Sequence, residues 1–346
     1  MRLAATMLAA LLAIAPLCAT AQSGQMDEAV DISRLLLDPP EGVDLAFGAF
    51  QRGYYLTALR LAERRAAQDD AVAQTLIAEI HANGLGVPQD IPKAIGWYAQ
   101  ADQNGDIQAT FQLAMIYQNG TGVPRNRQRA ATLFEKAAAE GHPAAMYNLG
   151  LLHVEGLHAE PNLVRAAELI GKAAETGLPE AQYDFAIMLL EGAGVPPNTE
   201  RALDLLEASA EAGLPAAQVE YATLLYLGTR TGTREAESAA LWYGRAAEAG
   251  NAVGQVRYAM MLATGEGVAQ DFETAAMYRS LARRQGLTDD ALDQMLRAAE
   301  RETVAQGEER ARFWPASPPT NGSSDIQSDT PEPTPLPQTL TVPPDP

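Results

Sequence analysis

Residues 106–141 read DIQATFQLAMIYQNGTGVPRNRQRAATLFEKAAAEG, and variants of this stretch recur along the chain. Asp106 suits the N-cap of a helix running to about Gln118, since its carboxylate can accept an orphan backbone N–H. Gly120-Thr121-Gly122-Val123-Pro124 stops that helix. Glycine accepts left-handed backbone angles, and proline cannot continue a helix. A second helix is predicted from about Gln128 to Glu140, with Gly141 ending it. The unit is therefore helix, loop, helix, turn.

Working outward, Gly84, Gly120, Gly156, Gly192 and Gly228 keep a 36-residue phase, and Gly265 follows after 37. Gly105, Gly141, Gly177, Gly213, Gly250 and Gly286 keep the same beat. A fixed period of this size means stacked copies of one supersecondary unit. Six copies are predicted, over 70–105, 106–141, 142–177, 178–213, 214–250 and 251–286. The extra residue of the fifth falls near Thr229 to Arg234. Three copies open His142-Pro143, Leu178-Pro179 and Leu214-Pro215, and proline suits a first helical turn.

The first helices align on one template. A small residue (Ala73, Ala109, Ala145, Ala181, Ala217, Gly254) is followed four positions later by a large one (Ile77, Leu113, Leu149, Phe185, Tyr221, Tyr258). A second small residue comes next, at Ala78, Ala114, Gly150, Ala186, Ala222 and Ala259. Small residues let helix backbones approach closely, and large ones fill the space between layers. Ala94, Ala130, Ala166, Ala202, Ala239 and Ala275 form a similar column in the second helices. The expected fold is an all-α, α/α solenoid of six repeats with capping helices. Residues 44–69, around Phe50 to Tyr55, read as a degenerate N-terminal capping pair, and 287–312 as a C-terminal capping helix.

The pattern Ala-x-x-x-Leu-Gly, Tyr-x-x-Gly-x-Gly-Val, Lys-Ala, Trp-Tyr, Ala-Ala, Gly resembles the Sel1-like repeat, a relative of the tetratricopeptide repeat. Gly84–Val87, Gly120–Val123, Gly192–Val195 and Gly265–Val268 carry its loop intact, while Gly156-Leu157-His158-Ala159 departs from it. The resemblance spans about 70–286 and implies a two-helix scaffold. It further implies a binding role rather than a particular chemistry, because one scaffold hosts many functions. Some periplasmic members restrain the sensor domain of a membrane kinase. Others are described as β-lactam-binding, but those are rich in cysteine pairs, and this chain has one cysteine.

The chain opens Met1-Arg2 and runs apolar from Leu3 to Leu17, with Ala19-Thr20-Ala21 before Gln22. This predicts a cleaved secretory signal over 1–21, too short for a membrane span, and hence a periplasmic or secreted protein. Cleavage removes Cys18, leaving no thiol or disulfide chemistry. Residues 22–43 form a polar leader. The tail, 313–346, is rich in Pro, Ser and Thr, cannot bury a core and is expected to be disordered.

The formal net charge is −19, and loss of Arg2 with the signal makes it −20. Such acidity disfavours nucleic acid and anionic lipid as partners. Catalytic motifs are missing: no Gly-x-Ser-x-Gly, His-Glu-x-x-His or phosphate loop occurs. His81 and His153 replace a template tyrosine and read as packed helix residues with one hydrogen bond. His153 and His158 stand five apart, a poor metal pair. No enzyme activity, metal or cofactor is expected.

The candidate binding residues lie opposite the small-residue column, since positions 2, 3 and 6 after the template alanine point away from it. A polar column comprises Gln112, Asn148, Asp184, Glu220 and Arg257, flanked by Met115, Leu151 and Ile187. Aromatic neighbours include Phe111, Tyr147 and Tyr183. Polar groups of this kind meet a peptide backbone, and Met and aromatic groups supply adaptable contact area. The expected function is a non-catalytic protein-interaction scaffold in the bacterial envelope, binding a partner segment in a concave groove. The alternative is a peptidoglycan- or β-lactam-binding or -hydrolysing protein.

Overall fold

The computed structural model describes residues 44–156 and 161–315. The predicted signal, polar leader, tail beyond Pro315 and His158 lie outside the described residues. Among the described residues there are sixteen helices and no strand. They fall into two compact units, one ending at Ala249 and one beginning at Gly250.

The first unit opens with α1 (Leu45–Gln51) and α2 (Tyr55–Ala66). Five two-helix repeats follow. Their first helices are α3 (Ala71–Asn83), α5 (Ile107–Asn119), α7 (Pro143–Glu155), α9 (Pro179–Glu191) and α11 (Pro215–Leu227). Their second helices are α4 (Ile91–Gln103), α6 (Arg127–Ala139), α8 (Leu163–Glu175), α10 (Thr199–Glu211) and α12 (Ala236–Glu248). The all-α solenoid reading is correct, and helix ends fall within a residue or two of the predicted ones.

Local chemistry explains most boundaries. Asp70 and Asp106 cap α3 and α5 through their side chains, and Asp90, Asn126, Asn162 and Asn198 cap four second helices. Each such cap is worth about 1 kcal/mol. Leu178 and Leu214 make no side-chain cap, but the following proline presets the first turn. Every first helix ends on a glycine in the left-handed region, from Gly84 to Gly228. The loop then closes by one recurring bond. The N–H of Asp90, Asn126, Asn162 and Asn198 donates to the carbonyl of His81, Tyr117, His153 and Leu189, at 2.8–3.0 Å.

The second glycine of the loop has a separate purpose. A Cβ on Gly122 would stand 2.5 Å from Ile91, and one on Gly194 only 2.0 Å from the carbonyl oxygen of Leu163. Ile91 and Leu163 begin the second helices of the preceding repeats. The loop of one repeat thus rests directly on the helix start of the last one.

The alanine columns are buried in both helices of every repeat. Ala114, Phe134, Leu149, Leu152 and Leu169 share one core cluster, which runs from the second repeat into the third. At Gly150 a Cβ would stand 2.6 Å from the Ile170 side chain, so α7 and α8 meet almost backbone to backbone. A polar latch joins the helices of the first repeat. Asn104, at the end of α4, donates to Gln74 Oε1 at 2.9 Å, and Gln74 Nε2 donates to the Ala66 carbonyl at 3.3 Å. Gln218 repeats the second bond, to Ala210, but Ala249 replaces Asn104 and leaves its buried Oε1 without a donor.

The second unit contains α13 (Ala252–Thr264), α14 (Phe272–Arg284), α15 (Asp290–Ala298) and α16 (Arg301–Phe313). Where one capping helix is predicted over 287–312, there are two. Ala299 is extended, so the chain turns and α16 lies along α14. Gly307 permits this: a Cβ there would stand 2.1 Å from the Glu273 carbonyl oxygen. Arg310 pairs with Glu273, while Arg279 reaches both Asp293 and Glu308. The latch recurs here, as Gln285 Nε2 donates to Gln255 Oε1 at 3.1 Å.

Two changes test this account by thermal unfolding. Ala249→Asn supplies the missing donor to Gln218 and should stabilise by about 1 kcal/mol, a rise in Tm. Gly194→Ala should cost several times the ~1 kcal/mol that Gly96→Ala gains, because Gly96 is helical with open space around its Cα.

Candidate functional site

The first helices of the first unit carry the predicted strip. Gln112, Met115, Asn148, Leu151, Asp184, Ile187 and Glu220 are all half-buried. Arg257 is exposed and belongs to the second unit. Thr75 and Leu76, expected on the same strip, are buried. Leu76 packs in a cluster with Ala46, Ala58 and Ala62 of the capping pair, which covers the strip at that end. Met115 and Phe111 also pack against a core cluster, so part of the expected apolar contact area is spent inside the fold.

The strip is joined across repeats. Tyr147 Oη donates to Asp184 Oδ2 at 2.8 Å, linking α7 to α9. Phe111 stacks on the His142 ring at 4.5 Å between centroids. His142 Nδ1 accepts from the Ala145 N–H, so its Nε2 carries the proton donated to Gln108 Oε1 at 3.1 Å. Burial keeps this imidazole below its ordinary pKa, which agrees with a neutral ring. Asn148 folds back on its own helix, donating to the Ala144 carbonyl at 2.7 Å. The aromatic and polar columns are thus tied at Tyr147 and Asp184.

Burial pushes the Asp184 carboxyl above the usual carboxylate range, the Tyr147 hydroxyl opposes this, and Glu180 adds to it. Burial and then the Asp106 charge do the same to Glu79 on α3. Tyr147 and Tyr183 are both raised, by burial first and by Asp184, Glu180 or Glu220 thereafter.

Three clefts of about 240, 340 and 420 Å³ open elsewhere in the first unit, none lined by a predicted strip residue. The smallest is lined by Val164, Gly171, Phe185 and Val195, with the Arg201 guanidinium 5.2 Å from the Phe185 ring centroid. A Cβ on Gly171 would press on that ring at 3.0 Å. The signal in the sequence was a glycine inside a helical pattern. Among the described residues no group of three His, Cys, Asp or Glu side chains could hold a metal. His81 is 6 % exposed, and neither ring nitrogen has a partner, against the one hydrogen bond expected.

A family model described as Sel1 repeat matches residues 71–106, 107–142, 143–178, 179–214, 215–251 and 252–287, more than half of the chain. Among solved structures, a Sel1 repeat protein from Oxalobacter formigenes is 28% identical, with a TM-score of 0.61. That likeness covers 68% of this chain and 94% of the other. The protein c5321, a protective antigen of uropathogenic Escherichia coli with the same repeat fold, is 27% identical, with a TM-score of 0.60. It covers 74% of this chain, which spans only 58% of c5321. No curated protein matches the chain significantly in sequence.

The raised Asp184 carboxyl sets a pH dependence. The folded state holds this proton at a pH where the unfolded chain has released it, so its contribution is lost as pH rises through the folded value. Asp184→Asn keeps an acceptor for Tyr147 without the charge. The variant should gain Tm over wild type, and the gain should widen from pH 4 to pH 7 in parallel melts.

Proposed function

The chain belongs to the Sel1 repeat family, and on that premise we propose that it is a non-catalytic protein-interaction scaffold of the bacterial envelope, serving as an adaptor or regulator. Its partner presents a segment to the half-buried strip on the first helices. The observation that carries this reading is the bond that joins the strip across two neighbouring repeats. Tyr147 of one repeat is bonded to Asp184 of the next, so a segment bound there meets two repeats at once. Scaffolds of this kind collect binding energy from a few well-packed residues within a longer contact. Gln112 and Glu220, half-buried at the same template position, offer further polar groups on the first helices.

Envelope location is supported by the apolar run Leu3–Leu17 followed by Ala19-Thr20-Ala21. Among the described residues no helix is long and apolar enough to cross a membrane. The Pro-rich sequence from 316 onward serves as a spacer or a second short binding segment.

The test is capture from an envelope extract with residues 22–346 as bait and mass spectrometry as readout. The variant Gln112→Ala/Asn148→Ala/Asp184→Ala, checked for folding by circular dichroism, is the control. A protein held by wild type and lost from the variant is the expected result. Equal retention would move binding to another face. Capture of nothing, with binding of muropeptide or a labelled β-lactam instead, would favour the glycan or antibiotic reading.

A further inference from the structure

The two helices of each repeat in the first unit differ in the sign of charge they tolerate. The first helices α3, α5, α7, α9 and α11 carry six acids and not one Lys or Arg. The second helices α4, α6, α8, α10 and α12 hold eight Lys and Arg, from Lys93 to Arg245, with at least one on each. Burial alone would exclude both signs from the first helices. Helix dipoles do not account for the selection either. A dipole favours acids only in the first turn, where Glu180 sits, whereas Glu155 and Glu191 occupy the last residue of their helices.

The three remaining acids, Glu79, Asp184 and Glu220, sit mid-helix and half-buried. The charged neighbours that act on Glu79, Tyr147, Tyr183 and Asp184 are all acids among the described residues.

We propose that the segment received by the first-helix strip of the first unit is cationic, a peptide stretch rich in Lys and Arg. The proposal rests on the strip being the interaction surface, as argued above, and adds the chemistry of what it takes. An ammonium or guanidinium group brings donors to carboxylates that have no cation of their own. Partly buried charges are screened less by salt than exposed ones, so the attraction favours the strip over the surface acids elsewhere.

The probe is a fluorescein-labelled Lys/Arg-rich peptide, with a counterpart in which every Lys and Arg is Glu, titrated with the full chain by fluorescence anisotropy. Glu79→Gln/Asp184→Asn/Glu220→Gln removes three charges from the strip at constant shape. Glu135→Gln/Glu200→Gln/Glu237→Gln removes three from exposed sites on second helices. The strip variant should weaken the cationic peptide about tenfold and the control variant less than about twofold, since mutated contact charges alter affinity far more than remote ones. Glu220→Gln alone should act in the same direction to a smaller degree, which guards against loss of fold in the triple variant. Equal losses in both triple variants, no loss in the strip variant, or equal binding of the acidic peptide would each overturn the proposal. If an envelope partner is lost from the triple alanine variant but held equally by the strip amide variant, the surface stands and its cationic preference falls. If no partner is lost from the alanine variant, the surface reading itself has failed.

Discussion

Contact through alanine methyls is the interaction on which the whole arrangement depends. At Ala94, Ala130, Ala166 and Ala202 nothing larger than a methyl separates the helices, and all four are fully buried. A methyl column stabilises little per residue, but it brings whole helix surfaces within van der Waals range, where many weak attractions add. Gly150 and Gly194 take the same principle to its limit, with neighbouring atoms occupying the space a Cβ would need. The large residues between the columns, such as Phe134 and Ile170, then have one well-defined space to fill.

Glycine and alanine phase made most of this visible in the sequence. The position after each first helix must be left-handed, which few residues tolerate, so Gly84 to Gly265 mark the repeat without ambiguity. The second glycine of each loop was legible only as part of a helix stop. Its contact with the preceding repeat depends on a distance that no local pattern encodes. The break at Ala299 was hidden for a related reason. Ala299 and Glu300 are both good helix formers, and only the docking of α16 on α14 makes an extended residue favourable there.

The candidate site was legible by position but not by connection. Helical periodicity assigned Asp184 and Tyr147 to neighbouring columns, and the structure bonds them across two repeats. A spacing of 37 residues carries no signature that distinguishes a hydrogen bond from mere proximity. Burial of Thr75 and Leu76 was equally invisible, because the capping pair that covers that end follows the repeat template so loosely. The clefts near Phe185 and Arg230 arise from local departures, a mid-helix glycine and a lengthened loop, which a consensus pattern averages away.

The fifth repeat gathers several of these departures. Its loop has lost the second tight glycine contact, its N-cap residue Glu235 makes no side-chain cap, and its Gln218 lacks the latch. In a stack where each repeat is held mainly by its neighbours, cooperativity is only as strong as the weakest link. The first unit therefore carries its own line of fracture. Sub-global opening is expected to begin at α11 and α12 while the core around Phe134 stays closed, with amide protons there exchanging through that partial state.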